Sequence, residues 1–357
     1  MRSCLHFAIL GFSLYQLGAL VAVRKGCIWK SAPAPAAGDS VENSTVLKVG
    51  LFLILVGVAP YTLFTVNNLS IVLSAGYGAY YAADVARLSS IITGFGYFLF
   101  TGMVFVVVGG NKRQKQAAIA ALAVIALVRL ISGDRGDSFV FAISAYLLHL
   151  NYVNQKPRAD ILVGGLLSVL LMYAVSVVGV VRNSHARGLE VLSLIGQELV
   201  SSNPVVTTLA NLGNTLAPLA KVMVLLRSDW DPTYGGTYMA TLARIIPSPL
   251  RFGAFGDLVS NSMHGSPATW LKETLGMSYG PGFSPFAEAF LNFSWAGIVV
   301  MLVYGFLMTR LVCPSEERVK DMALARGLGI LAFLLFAMAT RGSSNYIAAF
   351  WVRYMLL

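Results

Sequence analysis

The sequence predicts an all-α polytopic membrane protein: a bundle of about 8–10 transmembrane helices, each roughly 20 apolar residues long, with one long extracytoplasmic loop. Three observations predict it. Of the 357 residues, 57% are hydrophobic and only 12% charged, about half the charge density of a soluble domain. Apolar runs of spanning length recur along the chain, whereas a soluble protein of this size needs only one or two such helices. The short connections between runs are alternately basic and non-basic, the pattern of a chain that crosses a membrane repeatedly.

Taken in order, the runs lie at residues 5–23, 49–65, 89–109, 117–131, 139–153, 161–181, 290–312 and 322–339, with a short last run at 346–357. The first ends in Arg24-Lys25 rather than at a small-residue cleavage site, so it reads as a retained helix. A Pro- and Ala-rich linker, SAPAPAAGDS at 31–40, follows it. Three segments result: N-terminal transmembrane helices over 1–181, an extracytoplasmic loop with short helices over 182–288, and C-terminal transmembrane helices over 289–357.

Orientation follows from the charges. Arg24, Lys25, Lys30 and Lys48 flank the linker; Lys112, Arg113 and Lys115 stand in NKRQKQ; Lys156 and Arg158 in NQKPRAD; Arg318 and Lys320 in CPSEERVKD. These connections belong on the cytoplasmic side, which leaves the amino terminus and the other connections outside. The outer connections are the Tyr- and Ala-rich stretch 67–87, the turn GDRGD and the long loop from Arg182 to Glu288. Loops that long are functional or disordered, and this one is too apolar for disorder. Within it VLSLIGQELV and NTLAPLAKVMVLL have the apolar spacing of amphipathic helices. No internal repeat is present, which speaks against an inverted-repeat transporter.

The net charge of +10 is ordinary for a polytopic protein, whose cytoplasmic connections are basic, and no basic soluble face or reading motif points to nucleic acid. Cys4, Cys27 and Cys313 have no paired spacing, so neither a disulfide framework nor a metal site is expected. The pair in Asp229-Trp230-Asp231 sits in a polar turn and makes a poor metal site. No P-loop, dinucleotide fingerprint or serine elbow occurs, and no cofactor is expected.

Arginines are the anomaly. Arg129, Arg135, Arg182, Arg187, Arg227, Arg244, Arg251 and Arg341 all map to the face that positive-inside sorting depletes. Guanidinium groups beside a bilayer are costly unless an anion pairs with them, and their planar fork suits phosphate oxygens. Convergence of these side chains in one extracytoplasmic cavity would grip a phosphorylated lipid.

Four stretches could carry chemistry. At the turn GDRGDSF, Arg135 within it and Arg129 just before it lie with Asp134 at the outer end of a helix hairpin; the structural alternative is a salt-bridged turn with Asp137 or Ser138 as N-cap. In VVRNSHARGLE, Arg182 and His185 stand three apart and share a helical face; imidazole there is a base or an anion ligand, or part of an interfacial basic belt. YGGTYMATLARIIPSPLRF presents Arg244 and Arg251 around a short helix bounded by Gly and Pro, and His264 in NSMHGS reads as a solvated loop histidine. YGPGFSPFAEAFLNFSWAGIVV places Glu288 in the first turn of a membrane helix. That carboxylate either complements the helix dipole or serves as general base for a sugar hydroxyl. Arg341 ends an outer helix in TRGSSNYIAAFWVRY.

The ordered set GDRGDSFVFAISAYLLHL, GGTYMATLARIIPSPL, GPGFSPFAEAFLNFSWAGIVVMLVYGF and TRGSSNYIAAFWVRY resembles the O-antigen and exopolysaccharide repeat-unit polymerases, the Wzy-type family. The likeness covers residues 129–353; members commonly carry more spans than the eight or nine counted in this chain. It implies a GT-C-like glycosyltransferase at the periplasmic face of a bacterial inner membrane, moving a glycan from undecaprenyl pyrophosphate onto the terminal sugar of an incoming repeat unit. Its partners would be that undecaprenyl-pyrophosphate-linked glycan, membrane lipid and a chain-length regulator. In those terms Arg135, Arg182 and Arg244 bind the pyrophosphates with Arg341 in support, Arg129 and Arg251 are further substrate contacts, and Glu288 or His185 is the base. An O-antigen ligase-like transferase is the nearest alternative. A lipid-linked sugar transporter is less apt, because the charges gather at outer helix ends rather than at the midplane.

Overall fold

The computed structural model describes residues 2–24, 40–75, 94–132, 135–153, 164–165, 197, 206, 216–228, 230–246, 251–277, 282–312 and 342–345. Among them there is no strand. Four helices are long and apolar enough to cross a membrane, over Arg2–Arg24, Ser44–Val72, Lys112–Ile131 and Pro285–Arg310, and two shorter apolar helices accompany them. The predicted all-α membrane class is therefore what the chain adopts. The predicted runs 322–339 and 346–357, and all but two residues of 161–181, lie outside the described residues.

Two compact units form, one from Met1–Ala34 with Gly213–Leu357, the other from Pro35–Leu212. One break between them falls inside the Pro- and Ala-rich linker.

The unit of residues 35–212 holds α2 (Ser40–Ala75), α3 (Phe98–Gly109), α4 (Lys112–Ile131) and α5 (Arg135–Tyr152). Helix α2 continues ten residues past the predicted end of its run at 65. The Asn67-Asn68 dip in hydropathy misleads there: Asn68 is buried, and Ser74 returns its hydroxyl to the Ser70 carbonyl at 2.7 Å. Helices α2 and α3 are antiparallel with backbones in contact. A Cβ on Gly102 would stand 2.7 Å from the Gly50 carbonyl oxygen, and one on Gly57 would collide with the Leu99 amide. Small residues allow this approach, which substitutes packing for the hydrophobic drive that lipid removes. The basic NKRQKQ is only partly a connection. Asn111 and Gln114 form a reciprocal capping box at 3.0 and 2.8 Å, so Lys112, Arg113 and Lys115 occupy the first turn of α4. At the other end α5 already begins at Arg135. Ser138 therefore does not cap it; its hydroxyl crosses to the Ala126 carbonyl at 2.8 Å and ties the hairpin together.

The other unit starts with α1 (Arg2–Arg24) and resumes with α6 (Ala217–Ser228), α7 (Gly236–Ile245), α8 (Ala254–Ser260), α9 (Ser262–Gly265), α10 (Pro267–Thr274), α11 (Pro285–Phe293), a 3-10 turn at Ser294–Ala296, and α12 (Gly297–Val312). Helix α6 fulfils the amphipathic reading of NTLAPLAKVMVLL, burying Pro218, Leu219, Val222 and Met223 along one face. Helices α1 and α12 run parallel: Gly11 meets Met301, Tyr15 meets Gly305, and Gly18 meets Phe306. Here too backbones touch, since a Cβ on Gly18 would run into the Leu302 carbonyl and one on Gly305 into that of Tyr15. Both helices carry an arginine in their last turn, Arg24 and Arg310. Phe7 of α1 packs edge-on to Phe290 at 5.1 Å and Trp295 at 5.8 Å. The predicted single run 290–312 is broken: Ser294 takes φ 51°, and Gly297 folds back onto the Ala289 carbonyl. Broken backbone at membrane depth persists only where protein or a polar cavity satisfies it. Here protein does.

Candidate active site

The break sets out a polar node on α11. Ser284 caps this helix, accepting the Ala287 amide at 3.2 Å, and Pro285 at the first position needs no partner. With Ser284 making the cap bond, Glu288 keeps its place in the first turn, where a carboxylate complements the helix dipole. Its side chain is 0% exposed, and a buried carboxylate must be hydrogen-bonded to persist. It is. Thr237 donates its hydroxyl to Oε1 at 2.7 Å, the Ser344 amide donates to Oε2 at 2.6 Å, and the Ser344 hydroxyl makes a short bond to Oε1.

One turn along α11, Asn292 uses all four positions of its amide. Nδ2 donates to the Thr237 hydroxyl and to the Glu288 carbonyl, both at 2.7 Å. Oδ1 accepts the Thr233 hydroxyl at 2.8 Å and the Thr237 amide at 3.3 Å. The break leaves the last carbonyls of α11 open, and the Thr233 and Tyr234 amides close those of Leu291 and Asn292 at 3.0 Å each. Tyr234 and Gly235 both take left-handed backbone, φ 48° and 92°, to turn the chain from this cap into α7. Tyr238 stacks on Phe293 at 6.3 Å. Burial, and secondarily the Glu288 carboxylate, hold its hydroxyl above the ordinary tyrosine range.

The node extends along α7. Thr241 lies 2.7 Å from the Ser344 hydroxyl and 3.0 Å from Asn345 Oδ1. Asn345 Nδ2 and Arg244 Nη2 both donate to the Gly265 carbonyl at 2.8 Å. Arg251 Nε donates to the Ile246 carbonyl at 2.8 Å, so two guanidinium groups collect at the carboxyl end of α7, where the helix dipole favours cations. Anchoring through Nε fixes the Arg251 fork at this end of the helix. His264 is half-buried rather than solvated. Its ring packs against Gly236, where a Cβ would stand 2.8 Å from Cδ2.

The expected residues therefore fall into three groups. Glu288, Arg244 and Arg251 come together in one unit. Arg129 belongs to the other, buried at the end of α4, with Nε on the Tyr61 hydroxyl at 2.9 Å and its guanidinium over the Tyr61 and Phe64 rings at 5.2 and 4.8 Å. Aromatic faces stabilise a cation sequestered this way. Arg135 opens α5 by its backbone, and its side chain lies outside the described set, as do Arg182, His185, Arg187 and Arg341. Arg227 reaches Ser3 at 3.3 Å, tying α6 to the start of α1.

Thr237, Thr241, Asn292, Ser344 and Asn345 were not singled out in the sequence. A signal existed: Glu288 with Asn292, and Thr237 with Thr241, each stand four apart, so each pair shares a helical face in an otherwise apolar run.

Broken membrane helix, buried carboxylate and flanking arginines define a membrane protein whose polar centre is built at one end of a span. Over residues 2–357 the chain matches the model of the family described as O-antigen polysaccharide polymerase Wzy. It belongs to that family, the polymerases that join O-antigen repeat units. No curated protein and no solved structure matches it.

Proposed function

We propose that the chain extends O-antigen or exopolysaccharide at the periplasmic face of the bacterial inner membrane. The donor is a glycan on undecaprenyl pyrophosphate and the acceptor is the terminal sugar of an incoming undecaprenyl-pyrophosphate-linked repeat unit. The acceptor hydroxyl oxygen bonds to the donor's anomeric carbon, and that carbon's bond to the pyrophosphate oxygen breaks. The hydroxyl proton passes to a base, and the electron pair departs with undecaprenyl pyrophosphate. The leaving group arrives activated, so catalysis reduces to stabilising its charge and accepting one proton.

The observation that most supports this reading is the shared Gly265 carbonyl, which couples the arginine end of α7 to the Glu288 node through Asn345. Periplasmic placement is supported by the parallel α1 and α12. Positive-inside sorting sends their arginine ends to the cytoplasm and so puts Glu288 on the opposite side. Arg244 and Arg251, in the unit of the Glu288 node, grip the pyrophosphates; Arg135, Arg182 and Arg341 keep the phosphate-binding part that the family likeness implies, and Arg129 shapes its own unit from within. Glu288 already accepts three donors, which favours a positioning part for it, and the base is one of the two that the family likeness implies, Glu288 or His185. A chain-length regulator in the same membrane is the natural protein partner.

The test is genetic and chemical together. In a strain lacking the gene, single capped repeats on the lipid core mean a lost polymerase, whereas a bare core means a lost ligase and refutes the reading. Complementation with Arg182→Ala or Arg135→Ala should restore inserted protein without long-chain polymer. Normal chain length in both variants overturns the assignment of the arginines.

A further inference from the structure

Helix α7 buries hydroxyls beside its small residues Ala240 and Ala243 and exposes its large apolar side chains. Thr237, Thr241 and Arg244, spaced by four and three, turn toward the Glu288 node, and Thr237 is 0% exposed. Met239 and Leu242 point away from the protein with 52% and 58% of their surface exposed, and Ile245 joins them. A surface helix in water does the reverse, burying its apolar stripe and exposing its polar one. Nearby α10 does just that, burying Trp270 and Leu271 while Thr269 and Glu273 face outward. Two helices of one compact unit therefore report two different solvents.

The apolar face of α7 is not isolated. The segment before it is bonded to the last carbonyls of α11, and Tyr238 stacks on Phe293 at the break of the span. Beyond the break the outward residues of α12 are Val299, Val303 and Leu307, an apolar lipid-facing stripe. Phe252, 74% exposed, and Phe255 extend the apolar surface past the arginine end of α7. The surface that meets lipid on the span thus continues onto a helix too short to cross it.

We infer that α7 is sunk in the hydrocarbon of the leaflet beside the span, with acyl chains against Met239, Leu242 and Ile245. This rests on membership of a membrane family and on the packing of α7, not on the proposed glycosyl transfer. Its consequence is that the Glu288 node lies at bilayer depth, roofed by a helix whose outer side is solvated by lipid. Three donors, two hydroxyls and one backbone amide, then replace the water that the carboxylate lacks.

Site-directed fluorescence tests it on the full chain. With Cys4, Cys27 and Cys313 changed to Ser, single Leu242→Cys and Glu273→Cys variants carry a nitrobenzoxadiazole label in phosphatidylethanolamine–phosphatidylglycerol vesicles. Met239→Cys, on the same face, replaces Leu242→Cys if that variant fails to elute as the parent does. The label on α7 should be blue-shifted and quenched by doxyl-labelled phospholipid several-fold more than the label at Glu273. Before labelling, the α7 cysteine should resist a membrane-impermeant maleimide that modifies the one at 273. Equal reaction of both cysteines overturns the inference. So does protection without lipid quenching, which would mean that another copy of the chain or another segment covers the face.

Discussion

Across 56 residues of chain, the Ser344 backbone amide donates to the Glu288 carboxylate at 2.6 Å. That bond joins the late TRGSSNY stretch to the first turns of a membrane helix, and Thr237 joins both to α7. A single acidic side chain thereby fixes three segments that are remote in sequence.

Removing it should cost folding before it costs chemistry. Glu288→Ala strands the Ser344 amide, the Ser344 hydroxyl and the Thr237 hydroxyl, and a buried orphaned donor costs about 1–3 kcal/mol. The expected loss is roughly 3 kcal/mol or more, read as a lower thermal midpoint in detergent. Glu288→Gln keeps one acceptor oxygen and should lose about half as much. Equal stability of wild type and Glu288→Ala would contradict the positioning role.

Arg251 should behave oppositely. Its Nε bond to Ile246 lies at the rim of the fold, so Arg251→Ala should keep a near-native midpoint. Polymer formation should fall by about 10²–10³-fold, the usual loss for one donor aimed at developing charge. Arg251→Lys restores charge without the fork and should recover only part of it. Band spacing and length on a lipopolysaccharide gel, with repeat-unit turnover in vesicles, decide the matter.

Arg129 is predicted to be structural. Tyr61→Phe removes the acceptor of its Nε bond while keeping the ring, and Arg129→Ala removes stacking and bond together. The first should destabilise by roughly 1–3 kcal/mol and the second by more. Protease resistance of the 35–212 unit is the measurement. Full resistance with lost polymer would instead mark Arg129 as a substrate contact.

The α1–α12 contact gives a steric prediction. Gly18→Ala pushes a methyl group into the Leu302 carbonyl and should cost about 1–3 kcal/mol. Gly94→Ala, where a Cβ meets nothing within 4 Å, should be neutral. Thermal midpoints of the two purified proteins compare them directly.

Lengths of apolar run were enough to find α1, the cores of α2 and α4 and the span that includes α12, because lipid imposes one requirement on all of them. Periodicity found α6 for the same reason a core does. The ends were less legible: Asn67-Asn68 looked like an exit from the membrane, and NKRQKQ looked like a loop although a capping box starts a helix there. Glu288 was visible because an acid at a membrane helix is rare. Its partners were not, since Thr237, Ser344 and Asn345 are ordinary small polar residues whose meaning lies in folding together from distant segments. Charge alone also could not tell an arginine at the end of α7 from Arg129, which is enclosed by aromatic rings.

The glycine-lined fit of α1 against α12 has a bearing on biogenesis. A ribosome delivers α1 to the membrane well before its partner, since the whole 35–212 unit and the helices from α6 to α11 are made between them. During that interval the groove around Gly11 and Gly18 stays open to lipid, and the unit it belongs to remains unfinished while the helices of the 35–212 unit are already inserted. Assembly of the Glu288 node, which needs residues 344 and 345, then waits until well after α11 has been made, and chains truncated before those residues would reach the bilayer without it.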